Sequence, residues 1–241
     1  MKIEYYFYSG IAVLTIGFVL LFKLFVLFDG IEFNGDSYRY YLSSLNILNS
    51  IHNFSIPETT FWPYGFPFLT GFLFLFTGPS FIAAQWIPIL ASFGLFILLF
   101  LIIKNCSEFN MNEQIALLIS LMLTFFTGLI LKYQIVIMSD LPALFWAALT
   151  IYLLLKYCDR RKPLLLILLS VSAALAIVTR YVYGLILIPV FLIFWSEKKS
   201  MKSFFIESFL FVLFVLITAI PQLILNLHSL DSSFHHPWIQ N

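Results

Sequence analysis

Four uninterrupted apolar runs, at residues 10–28, 81–103, 115–131 and 204–225, decide most of what this chain can fold into. The hydrocarbon core of a bilayer is about 30 Å thick, a distance that runs of this length cross as helices. Three shorter runs, at 141–155, 163–179 and 182–195, lie between the stronger ones and are separated by polar punctuation rather than by long loops. Only 10% of the residues are charged, and the mean hydropathy is +0.98, whereas soluble domains carry about 25% charge. Too little polar surface remains to cover a water-soluble globule, which excludes a soluble enzyme, a disordered chain and a nucleic-acid module. The expected fold class is an all-α, multi-pass integral membrane protein.

With 13 basic and 12 acidic residues, net charge gives no argument for nucleic acid as a partner, and only the placement of charge informs. Lys2, Lys104, the cluster Lys156, Arg160, Arg161 and Lys162, and the cluster Lys198, Lys199 and Lys202 all fall on one side if the chain crosses seven times. The positive-inside rule makes that side cytoplasmic. An eighth apolar piece, 66–77, is closed by Thr77, Gly78 and Pro79 and is too short to span; it is expected as a short helix in the outer leaflet or a re-entrant one. No small-residue cleavage site follows the first run, which reads as an uncleaved signal anchor. The N-terminus is then cytoplasmic. The external face receives the loop 29–79, the turn 132–140, the turn at Arg180 and Tyr181, and a tail over 226–241. Residues 1–225 are expected as one membrane domain, in a plasma or inner membrane if the source is bacterial and in the endoplasmic reticulum if eukaryotic. Cys106 and Cys158 form neither a disulfide framework nor a metal-ligand spacing.

The external set contains the residues able to carry chemistry. Asp36 opens a stretch in which Tyr38, Tyr41, Leu42, Leu45 and Leu48 recur at helical spacing, with Ser43, Ser44 and Asn46 on the polar face, an amphipathic helix at the interface. A carboxylate at its first turn is favoured by the helix dipole, so Asp36 taken alone reads first as a cap. Asp140 sits at the start of a later helix, where capping again competes with function, and Lys132 precedes it in the same turn. Arg180 follows an apolar helix, and a charge left in hydrocarbon costs about 2.5 to 3.5 kcal/mol even on the mild insertion scale, so it must snorkel, pair with a carboxylate or meet an anion. Taken together, two acids and two cations meet at one membrane face. Cations there suit a phosphate or diphosphate headgroup, and a nearby carboxylate suits proton removal from a hydroxyl. A transferase using a lipid-phosphate sugar needs both. Trp62 and Trp238 read as interface anchors. His228, His235 and His236 with Asp231 lie in a terminal tail with no ligand geometry to support a metal; the sequence calls for no cofactor, and a divalent ion has no pattern behind it.

The order Asn34-Gly35-Asp36-Ser37-Tyr38, then Trp62-Pro63-Tyr64-Gly65-Phe66-Pro67-Phe68-Leu69, a short apolar helix and Gly78, resembles the first external loop of the GT-C glycosyltransferases. The closest resemblance is to the protein O-mannosyltransferase and aminoarabinose-transferase branch. Met138-Ser139-Asp140-Leu141-Pro142 looks like that branch's second acidic turn, and Val178-Thr179-Arg180 with Tyr183-Gly184 looks like its Thr-Arg-aromatic-Gly segment. The resemblance implies an inverting transferase that takes a sugar from a polyprenyl-phosphate donor on the external face. Asp36 would be the catalytic base, Asp140 a second acid, Lys132 and Arg180 the lipid-phosphate cations, and Tyr38, Arg39 and Tyr183 contacts to donor or acceptor. The acceptor is a lipid, a glycan or a protein. Family members continue through further helices, so 226–241 is expected to begin a continuation or to meet a second chain that supplies them. The rival readings are a non-catalytic GT-C-shaped subunit or lipid-binding scaffold and, third, a transporter.

Overall fold

The computed structural model describes residues 35–57, 62–105, 113–126, 133–134, 136–197 and 200–233. The first expected crossing, 10–28, lies outside them, as do Lys132, Cys106, His235, His236 and Trp238. Described residues form helices and no strand: α1 (Gly35–Asn53), α2 (Gly65–Thr77), α3 (Phe81–Asn105), α4 (Glu113–Leu121), α5 (Asp140–Arg160), α6 (Pro163–Thr179), α7 (Leu187–Ser196) and α8 (Met201–Ser233). A π-helical turn, Met122–Phe126, extends α4, and a 3₁₀ turn, Tyr181–Ile186, precedes α7. Among these, Phe81–Lys104, Asp140–Arg160 and Met201–Leu227 are long and apolar enough to cross a membrane. All-α membrane architecture is therefore what the chain adopts.

Several elements depart in detail from the apolar runs. The run 141–155 extends at both ends to make α5, a 21-residue helix, because Asp140 is accepted at the positive end of the helix and the basic residues at the other. The run 182–195 is not one α-helix. Pro189 in a continuous helix would clash with the carbonyl of Leu185 and leave it unbonded, and the chain instead makes a 3₁₀ turn first and begins α7 at Leu187. In the described part of 115–131, the ladder widens to the π form, and Gln134 Nε2 donates to the Thr124 carbonyl at 2.7 Å.

Helix α6 is central: it packs on α5 and α8, while α5 also packs on α3 and α3 on α4. Small residues are buried on both helices, Ala143 and Ala147 on α5 and Ser172, Ala173, Ala174 and Ala176 on α6, while Ala148 packs with Ala91 and Leu95 of α3. Such small residues pack well in lipid, where apolar burial gives helices no driving force to associate. Thr150 Oγ1 donates across the α5–α6 seam to Ser172 Oγ at 3.0 Å. On α8 the rings and chains of Phe205, Phe209, Leu216 and Ile220 are exposed, as lipid-facing residues are.

Helix α1 reverses one expectation. Its serine-bearing side is the buried one, with Ser37, Tyr40, Ser43, Ser44 and Ile47 inside, whereas Tyr38 and Leu42 are exposed. The cause is α2: a β-carbon at Gly71 would lie 2.8 Å from the Ser44 carbonyl oxygen and 2.9 Å from Ile47 Cγ2. Glycine at 71 lets the α1 backbone at Ser44 and the Ile47 side chain approach α2, so the serines are buried along with Tyr40, Ile47 and Leu48, while Tyr38 and Leu42 turn outward. Trp62, expected as an interface anchor, packs its ring 5.7 Å from that of Tyr40.

At the bundle end where α5 finishes, Arg161 pairs with Glu207 at 2.6 Å and donates to the Glu197 carbonyl at 2.7 Å, while Ser203 Oγ donates to the other Glu207 oxygen. This ties the α5–α6 connection to α8. The start of α5 and the end of α6 meet at the opposite end.

Candidate active site

Arg180 lies in extended backbone (φ −158°, ψ 116°) between α6 and the 3₁₀ turn, its N–H closing the last turn of α6 on the Ala176 carbonyl at 3.0 Å. There its guanidinium reaches Asp140 at the first turn of α5, and Nη1 pairs with Oδ1. The second oxygen, Asp140 Oδ2, is buried and makes no hydrogen bond. Asp140 therefore does more than cap a helix. Charge pairing at this depth is what the cost of an isolated arginine demands.

Ser139 precedes Asp140 and is fully buried, yet its hydroxyl caps nothing on α5. It meets the Tyr40 hydroxyl of α1 at 2.8 Å. Tyr40 stands one helical turn after Asp36, so the two residues share a face of α1. Burial is the largest influence on the Tyr40 phenol and pushes its pKa above the ordinary 10.0; the Ser139 bond and Arg180 pull it down, and Asp140 and Asp36 push it up. The charges of both acids and of Arg180 thus converge on one hydroxyl. Tyr183, half-buried, follows in the 3₁₀ turn, and its N–H donates to the Arg180 carbonyl at 3.0 Å. Tyr38 and Arg39 are exposed, and Tyr38 faces away from the buried Tyr40 side.

The α2 segment locks against the same point. A β-carbon at Gly65 would stand 2.6 Å from the Val178 carbonyl oxygen and 2.7 Å from Thr179 Oγ1. The Trp-Pro-Tyr-Gly and Thr-Arg segments, far apart in sequence, are therefore one contact, and glycine is what permits it. Beside it lies an apolar cavity of about 430 Å³ whose lining includes Tyr64, Gly65, Phe68, Val178, Pro221 and Gln222. At its rim the Tyr64 N–H donates to Gln222 Oε1 at 2.8 Å, and Gln222 Nε2 donates to the Tyr181 hydroxyl at 3.1 Å and to Asn226 Oδ1 at 2.7 Å.

Asp36, Asp140, Arg180 and Tyr183 thus gather at one end of the bundle; Ser139 and Gly65, which the motifs carried without a role, join them, as do Tyr40 and Gln222, which sequence did not single out. Tyr40 and Ser139 carried a signal, one turn from Asp36 and one residue from Asp140. Gln222, inside an apolar helix, carried only its polarity.

The family model described as dolichyl-phosphate-mannose-protein mannosyltransferase matches residues 62–225, about two thirds of the chain. The match takes in Asp140 and Arg180 and begins beyond Asp36. No curated protein and no solved structure matches.

Proposed function

The chain belongs to the dolichyl-phosphate-mannose-protein mannosyltransferase family, within the GT-C superfamily of membrane glycosyltransferases, and from that premise we propose that it moves a sugar from a polyprenyl-phosphate donor to an acceptor hydroxyl at the external face. The observation that carries this reading is the Arg180–Asp140 pair, buried Oδ2 included, set beside the α1 face that bears Asp36.

Asp36 takes the hydroxyl proton as the acceptor oxygen attacks the anomeric carbon. The new glycosidic bond forms as the bond to the phosphate oxygen breaks, from the opposite side, so the configuration inverts. Polyprenyl phosphate leaves with the bonding pair and is met by Arg180, whose fork suits phosphate oxygens, together with Lys132. Asp140 Oδ1 steadies Arg180, and Oδ2 accepts from a hydroxyl of donor or acceptor. The apolar cavity beside Val178 and Gly65 suits the first units of the lipid chain, since its walls are hydrocarbon and its rim is polar.

The test is turnover by the purified chain in proteoliposomes given radiolabelled polyprenyl-phosphate mannose and a membrane extract as acceptor. Label transferred to acceptor with release of polyprenyl phosphate is the expected result. Saturable binding of the donor without consumption, across lipid, glycan and protein acceptor fractions and with an added extract supplying any partner chain, would instead make the chain a lipid-binding scaffold.

A further inference from the structure

Helix α1 carries Asp36, whereas Asp140 and Arg180 belong to α5 and α6, and two-carboxylate chemistry needs these parts in register. Packing holds α1 mainly to α2. One link from α1 to the start of α5 is a hydrogen bond between two buried hydroxyls: Tyr40 is 3% exposed, Ser139 is fully buried, and their oxygens are 2.8 Å apart. The phenol ring is clamped independently of that bond. Phe66 meets it edge-on with centroids 5.2 Å apart, and Trp62 lies across it at 5.7 Å. The Ser44 hydroxyl donates to the Tyr40 carbonyl at 2.8 Å, fixing the next turn.

We propose that Tyr40 is a positioning residue: its hydroxyl, through Ser139, holds the first turn of α5 so that Asp140 keeps Arg180 aligned and stays in register with Asp36. The ring supplies rigidity and the hydroxyl supplies aim. Ser139 stands at the N-cap of α5 without capping it, which leaves its hydroxyl free to serve this bond. Tyr40 touches no reacting atom; it acts through Ser139 and the residue that follows. The kinetic part of this inference rests on the transferase reading, and the geometric part does not.

Two measurements on the full chain separate them. The first needs no activity: phenylglyoxal modification of Arg180, followed by peptide mass spectrometry. Asp140→Asn, which weakens the pair, sets the upper reference. Tyr40→Phe and Ser139→Ala each remove one hydrogen-bonding group and should raise the Arg180 modification rate by about 3- to 10-fold, the scale of one net hydrogen bond. The Y40F/S139A double variant should be no faster than either single one, because both break the same bond. Unfolding temperature should stay within about 3 °C of the parent, on the scale of a loss of 1 kcal/mol in a domain of this size. A Tyr40→Phe rate equal to the parent's, or a double variant equal to the product of the singles, overturns the proposal.

The second measurement is turnover of polyprenyl-phosphate mannose. Tyr40→Phe should lower kcat by about tenfold with the donor KM within about twofold, since misalignment of reacting groups costs rate more than ground-state binding. Loss of turnover in step with unfolding temperature would mean that Tyr40 only packs. If the parent itself does not consume the donor, the transferase reading fails, and the labelling result still decides whether Tyr40 positions the pair.

Discussion

Arg180 and Tyr40 show what single residues contribute here, one through charge and one through burial. With Arg180 replaced by Ala, polyprenyl-phosphate affinity should fall by about 10- to 100-fold, the range for a charged hydrogen bond, in an equilibrium binding assay; unchanged affinity would remove Arg180 from the phosphate site. Burial dominates the raised pKa of Tyr40, so the folded chain binds that proton more tightly than the unfolded chain does. The corresponding stability is complete below pH 10.0, the ordinary tyrosine value, and is lost as pH rises through the higher folded value. Thermal unfolding followed from pH 8 to pH 11 should therefore decline more steeply for the parent than for Tyr40→Phe. Parallel curves would show that Tyr40 is not a buried neutral phenol. The charged members of the site were legible in the sequence because intramembrane charge is costly and therefore conspicuous. Tyr40 and Ser139 were not, since a tyrosine and a serine on an amphipathic helix and in a turn have many ordinary uses. Gly65 was legible only as part of a motif; that it meets Val178 and Thr179 is a tertiary fact.

At the scale of elements, α2 and α6 are held at the distance that Gly65 allows. Gly65→Ala places a methyl against the backbone carbonyl of Val178, which cannot rotate away as a side chain end can. Overpacking of this kind costs about 1 to 3 kcal/mol. The expected outcome is a fall in unfolding temperature of about 2 to 4 °C per kcal/mol, by circular dichroism or a thiol-probe melt. An unchanged melting temperature would show that α2 and α6 have slack at that point. Long apolar runs located α3, α5, α6 and α8 because a helix spanning lipid has one composition throughout. What composition could not supply was which face of a helix is inside. On α1 Tyr38 and Leu42 look outward while Ser37, Ser43 and Ser44 look in beside Tyr40, Ile47 and Leu48, because the close approach to Gly71 buries that side of the helix whatever its polarity. The π turn after α4 and the 3₁₀ turn before α7 were likewise invisible to a count of apolar residues, although Pro189 marked the second.

Across the whole molecule, the ends of the bundle are chemically distinct. One end gathers Asp36, Asp140 and Arg180; the other carries Lys156, Arg160, Arg161 and Lys162 at the foot of α5, with Arg161 tied to Glu207. We propose, on loop charge bias, that the basic end is cytoplasmic and the site end external. In a variant lacking Cys106 and Cys158, a membrane-impermeant thiol reagent should therefore reach Asn53→Cys from outside and Ser200→Cys only after permeabilisation, both positions being exposed; the opposite pattern would invert the topology. The transferase account itself stands or falls on the Asp36 carboxylate, which Asp36→Asn removes as a base while keeping size and helix-capping capacity. The decisive measurement is single-turnover transfer from radiolabelled polyprenyl-phosphate mannose in proteoliposomes, parent against Asp36→Asn, with donor binding measured on the same samples. The account predicts transfer lower by about 100-fold or more, the scale of general-base loss, with donor affinity within about threefold. Transfer by Asp36→Asn within a few-fold of the parent would contradict it and leave Asp36 as a helix cap.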